Sequence, residues 1–201
     1  SYNTDTLENF TGMFRYSAIT KTIDESDTSI LSNITKVKMY KFITPTLNNG
    51  TKYTLSFNNA FFNPHSGHNS AAGGVVSSTG FKISGDDTNE HFLDDDGAGN
   101  IRVYYLSGTT RIYTDSTYGT IDYTNGEIIL TSANITSISN IDGAASARVR
   151  VTVSPDSNDI VPVRNQVLSI DTANSNVSGG IDEIESGSSQ AGTGYTTTSS
   201  Y

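Results

Sequence analysis

Three consecutive aspartates, Asp94, Asp95 and Asp96, run into a glycine-bracketed turn in the stretch FLDDDGAGNIRVYYL, residues 92 to 106. Carboxylates at alternate positions beside glycine are the raw material of a calcium loop. Such a loop needs oxygen ligands at its first, third and fifth positions and a glutamate at its twelfth. Counting from Asp94, the first and third positions are Asp94 and Asp96, but the fifth is Ala98 and the twelfth is Tyr105. Two ligands are missing, and the flanking HFL and NIRVYYL read as strands instead of helices. The expectation is a glycine-supported turn with solvated aspartates and no metal site.

NPHSGH places His65 and His68 three residues apart, a spacing that brings two imidazoles to one metal if the segment is helical. Pro64 and Gly67 oppose a helix, Asn63 is the only other ligand type close by, and His91 is remote, so loop packing is the reading. No GxSxG elbow and no phosphate-binding GK[ST] occurs, and Gly97-Ala98-Gly99 lacks the strand–turn–helix setting of a dinucleotide loop. Paired carboxylates of a glycosidase are a spatial matter, yet sugar-cleaving clefts stack aromatics and the chain has no Trp. No catalytic residue, no cofactor and no enzymatic activity is expected.

The elements that would position such side chains are set by composition and period. The 201 residues suffice for a sizeable core. Eighteen glycines, abundant Ser, Thr and Asn and only 16% charged residues describe short strands and many turns. Without cysteine there is no disulfide, no thiolate nucleophile and no Cys-bound zinc. Twelve Lys and Arg against 21 Asp and Glu give a net charge of −9, which repels a nucleic acid backbone. No apolar run approaches the roughly 20 residues of a membrane helix, so neither nucleic acid nor membrane is an expected partner. The start at Ser1 reads as a piece of a longer chain.

The fold class expected is α+β and β-rich: a short N-terminal helical segment, then antiparallel strands in a meander, sandwich or barrel, then a polar tail. Residues 1–34 form the helical segment, continuing from a missing N-terminal part. Asp5 and Glu8 have capping-box spacing ahead of Phe10 and Phe14, and Ser17 is placed to cap a second turn carrying Ile19 and Ile23. Residues 35–173 form the β region, with two subdomains divided near 63–79 as one arrangement of it. There TKVKMYKFI (35–43) and TKYTLSFNN (51–59) alternate around LNNG and read as a hairpin. GFKIS, NIRVYYL, TRIYT, GTIDY, GEIIL, ARVRVTV and VPVRNQVLSI read as further strands. Asn125 and Gly126 in GTIDYTNGEIIL suit a type I′ hairpin turn. Residues 174–201 form the polar tail, whose composition is that of a disordered segment, with Tyr195 and Tyr201 as anchors that order against a partner.

FRYSAITKTIDESDTSILSNITKVKM (14–39), NPHSGH, FLDDDGAGNIRVYYL, GTIDYTNGEIIL and NDIVPVRNQVLSID (158–171) together resemble the C-terminal portion of the baseplate wedge ring protein of contractile-tailed phages, gene product six, similar in role to the baseplate J-like proteins. The resemblance runs from about Phe14 to Tyr201. It implies a structural virion protein of the tail baseplate, assembled in the host cytoplasm, with two copies per wedge. Its expected partners are copies of itself, as a homodimer or ring, and other baseplate wedge proteins. Val163, Arg164, Gln166, Val167, Tyr195 and Tyr201 are the candidate interface residues. The competing expectation is a carbohydrate- or receptor-binding β module of a fibre or surface protein, with a concave polar site and exposed aromatics.

Overall fold

The computed structural model describes residues 3–8, 12–68, 74–163 and 166–179. The chain divides into two units, Ser1–Ser169 and Ile170–Tyr201. In the second, the Asp171 carboxylate accepts the backbone N–H and side-chain amide of Asn174, closing an Asx turn. The rest of the architecture belongs to the first unit.

That unit is β-rich and antiparallel, as its composition leads one to expect. Among the described residues its strands are β1 (Met39–Ile43), β2 (Gly50–Ser56), β3 (Val76–Ser78), β4 (Phe81–Ile83), β5 (Asp86–Asp95), β6 (Asn100–Ser107), β7 (Thr110–Asp122), β8 (Glu127–Ile138) and β9 (Val149–Val153). One sheet has the order β1-β9-β3, the other β2-β8-β4-β5-β6-β7. The second sheet closes on itself, because β8 pairs with β7 through Glu127–Leu130 and with β4 through Ile135–Ile138. A barrel of β4 to β8 results, with β2 attached to β8.

The closure is legible in the alternation of β8. Ile128 and Leu130 are buried, Thr131 and Ser132 are exposed, and burial resumes at Ala133 and Ile135, one residue out of phase. Opposite that phase change, Tyr53 pairs with Leu130 but Thr51 with Ala133, so β8 carries one extra residue. A bulge of this kind bends a strand and increases its twist, which lets one strand serve two neighbours in turn. Inward residues of both sheets meet in one core: Ile43, Val149, Val151 and Val153 from the smaller, Phe81, Leu93, Ile101, Val103, Ile128 and Leu130 from the larger. Each buries apolar surface worth about 1.5–3 kcal/mol against leaving it in water.

Several local expectations are corrected. The hairpin of residues 35–43 with 51–59 does not form: β1 pairs with β9, and β2 with β8, in different sheets. Local alternation marks a strand but not its partner, and β9 offers Ile43 an unbroken row of buried valines. TRIYT and GTIDY are one strand, β7, bulged where Val103 faces Asp115 and Tyr104 faces Tyr113. The strand read into VPVRNQVLSI is absent from its described residues, 161–163 and 166–170. The hairpin at GTIDYTNGEIIL does form, Ile121 opposite Ile128. Its turn is not type I′, because only Gly126 has positive φ (64°) and Asp122 pairs with Glu127 across four residues. The Asp122 carboxylate accepts the N–H groups of Thr124 and Asn125 and so supports the longer loop.

At the N-terminal end, Asn3–Leu7 form a single π-helical turn. The helix α1 spans Tyr16–Asp24 with Arg15 at the N-cap position, so Ser17 is not the cap, and no side chain caps it. Phe14, expected on a helix, is in an extended bridge with Ile160. No helix among the described residues is long and apolar enough to cross a membrane.

Candidate functional site

Asp94 and Asp95 end β5, Asp96 follows it, and the barrel treats each differently. Asp94 is 1% exposed, on the outer side of β5, and faces Arg102 in register across β6. Its Oδ1 accepts Arg102 Nε at 2.9 Å. Its Oδ2 accepts Arg102 Nη2 at 3.2 Å, Arg111 Nη1 at 2.8 Å and the Tyr113 hydroxyl at 2.8 Å. The Arg102 guanidinium lies over the Tyr113 ring, and that of Arg111 over the Tyr104 ring. Burial, and then the hydrogen bond to Asp94, push the Tyr113 phenol above its ordinary value.

Asp95 points inward and is wholly buried. Its Oδ1 accepts the backbone N–H groups of Val75 and Val76, at 2.7 and 2.9 Å, and its Oδ2 accepts the Tyr123 hydroxyl at 2.6 Å. One carboxylate thereby ties β5 to the entry of β3 and to the β7–β8 turn. Gly74, at φ 75°, packs directly on it, where a Cβ would collide with Oδ1. The Tyr123 phenol is driven well above the usual phenol range by burial first and by Asp95 second.

Asp96 alone sits in the turn. It accepts the N–H groups of Ala98 and Asn100 and the Asn100 side-chain amide. Burial works to raise its pKa, but the bonds from Asn100 and Ala98 outweigh it and hold the carboxyl below the usual range. The expectation of solvated aspartates is thus corrected for Asp94 and Asp95. A reading of residues 92–106 alone could not show Arg111, Tyr113, Tyr123 or the 74–76 segment arriving on them. Every oxygen of both carboxylates already accepts a hydrogen bond, an arrangement suited to joining strands.

Around the turn, Gly67 N–H and the Asn63 amide both donate to the Gly97 carbonyl. His65 Nε2 and His68 Nδ1 lie 3.1 Å apart, one ring edge-on to the other. No group of three or more metal-ligating side chains gathers among the described residues. An open depression of about 550 Å³ lies between this loop and the β5–β6 and β7–β8 turns, lined by Asn63, Ser66, Gly97, Asp122, Tyr123 and Thr124. Asn63 Oδ1 is buried there without a hydrogen-bond partner. His91 is also buried, edge-on to Tyr105, with its Nε2 3.5 Å from Asp86.

The other end of the sequence supplies a second surface. Leu7 is buried, the Tyr16 N–H donates to Asp159, and Phe14 and Ile160 exchange backbone hydrogen bonds, so the N-terminal segment is bound to residues 159 and 160. Among its other described residues from Asp5 to Lys38, only Gly12 is buried. No residue of α1 is buried, and Leu31 and Ile34 in the connection to β1 are 83% and 91% exposed. Residues 1–42 match the family model of baseplate structural protein gp6, C-terminal domain III. The resemblance to the baseplate wedge protein is borne out over that segment, which ends within β1. The matched family is a structural one, and the barrel lies outside the match. No curated protein and no solved structure matches the chain.

Of the candidate interface residues, Val163 is half-buried, and its carbonyl accepts the Gln166 N–H. Gln166 is exposed and accepts a hydrogen bond from Lys41 Nζ at 3.0 Å, while Val167 is 47% exposed. Arg164, Tyr195 and Tyr201 lie outside the described residues.

Proposed function

We propose that the chain is a structural component of a contractile phage tail baseplate, the C-terminal part of a wedge subunit that associates with copies of itself between neighbouring wedges to close the ring. The observation that carries this reading is the match of residues 1–42 to the gp6 C-terminal domain III family. The same segment presents a helix with no buried residue and two nearly bare aliphatic side chains, Leu31 and Ile34, as expected of a surface that a partner covers. Partners in this reading are a second copy and other wedge proteins, and the location is the virion tail. In this reading the Val163–Val167 stretch contributes Val167 and Gln166 to the contact, and Arg164, Tyr195 and Tyr201 are further candidates for it. The test is cryo-electron microscopy of the intact tail. Density for the barrel at the boundary between wedges supports the reading, and its presence only at a fibre tip overturns it.

The depression beside Asn63 supports a second reading as a glycan-binding module. Its unpartnered Asn63 acceptor, Ser66 hydroxyl and Tyr123 ring are the groups a sugar uses. A glycan array separates the two: saturable binding abolished by Asn63→Ala favours the module.

A further inference from the structure

The outer face of β5, β6 and β7 carries side chains unlike those of a solvated surface. Phe92 pairs with Tyr104, and Tyr104 with Tyr113. Leu106 beside them is 49% exposed and Tyr113 38%. Two guanidiniums share the single Asp94 carboxylate, so the patch has a surplus positive charge on a chain of net charge −9. Asp94 also fixes both arginines, which reduces the side-chain entropy lost when a partner binds. Arg and Tyr held in this way have the composition of an interface centre.

Two further observations say what covers it. The Thr110–Asp115 part of β7 pairs with β6 and with no second strand among the described residues, and it contains neither Lys nor Pro to deter pairing. The acidic β4–β5 turn lies at the same end of the barrel, because the His91–Tyr105 register sets the start of β5 beside the end of β6. Just after that turn, in the first residues of β5, Asp87 and Glu90 are exposed, the Asp87 carboxylate accepting the Thr136 hydroxyl. A basic aromatic face and an acidic turn side by side are self-complementary about a two-fold axis, since each can meet the other on a second molecule. We propose that this end of the barrel is the contact surface for a second copy of this chain, Leu106, Arg111 and Tyr113 of one copy meeting Asp87 and Glu90 of the other.

The inference rests on the self-association reading and locates it. Sedimentation equilibrium of the full chain tests both, using Leu106→Asp and Asp87→Lys, neither of which touches Asp94, with Asp156→Lys as the control at an exposed position outside this surface. The expected result is a reversible dimer whose dissociation constant rises at least tenfold in the first two variants and stays within twofold in the third. Thermal melts check folding, and Glu90→Lys replaces Leu106→Asp should the latter melt early. A dimer indifferent to Leu106, Glu90 and Asp87 overturns this surface and leaves self-association standing. A wild-type monomer at high micromolar concentration overturns both.

Discussion

Asp94 and Arg102 stand opposite each other across β5 and β6, and the guanidinium grips the carboxylate through both oxygens at 2.9 and 3.2 Å. The pair lies on the outer side of the barrel, yet the carboxylate is 1% exposed because Arg111 and Tyr113 reach it from β7. Three strands are thereby held through one side chain. Removing it leaves two arginines without their counter-charge.

Asp94→Ala is therefore expected to cost about 3 kcal/mol, the lower end for breaking a buried ion pair, because the Arg111 side chain is 36% exposed. Urea unfolding measures it. A loss under 1 kcal/mol would show that the cluster is decorative.

Gly74→Ala should destabilise by about 1–3 kcal/mol, since the residue has φ 75° and its new Cβ meets Asp95 Oδ1. Gly126→Ala should behave alike, at φ 64° and against the Asn59 backbone carbonyl. Pairing Gly74→Ala with Asp95→Ala should give less than the sum of the single losses, as neighbours sharing one contact do. Strict additivity in a double-mutant cycle would contradict the contact.

Calcium at about 1 mM should leave the melting temperature unchanged, because every oxygen of Asp94 and Asp95 is engaged by the protein. Melts in calcium and in chelator decide this. A calcium-dependent rise of several degrees would mean that the loop rearranges to take the ion.

Stability should fall as pH rises above about 10. Burial first, and Asp115 second, push the Tyr118 phenol up to about 12 from an ordinary value of 10.0, and Tyr123 is shifted in the same direction. Between those pH values the unfolded chain has lost the Tyr118 proton that the folded chain keeps, so the contribution is fully present below pH 10 and is lost on the way to 12. Tyr118→Phe should flatten the alkaline limb of a melting-temperature profile while changing little at pH 7. An unchanged limb would show that Tyr118 is not protected.

Sequence alone determined the β-rich class, the alternation of β6, β8 and β9 and the hairpin joining β7 to β8, because period and turn chemistry are local properties of the chain. It also carried the likeness of residues 14–39 to a baseplate protein, within the segment that the family match covers. Even the Asp94–Arg102 pair was within reach, since a turn centred on Ala98 puts the two in register. Tertiary structure decided the rest. It sent β1 to β9 instead of β2, closed the barrel through the bulge in β8, and brought Arg111 and Tyr113 onto Asp94 and Val75, Val76 and Tyr123 onto Asp95. The reason is that a strand's own residues say which face is buried, whereas its partners and the donors that reach a carboxylate come from distant segments, selected by the packing of the whole core.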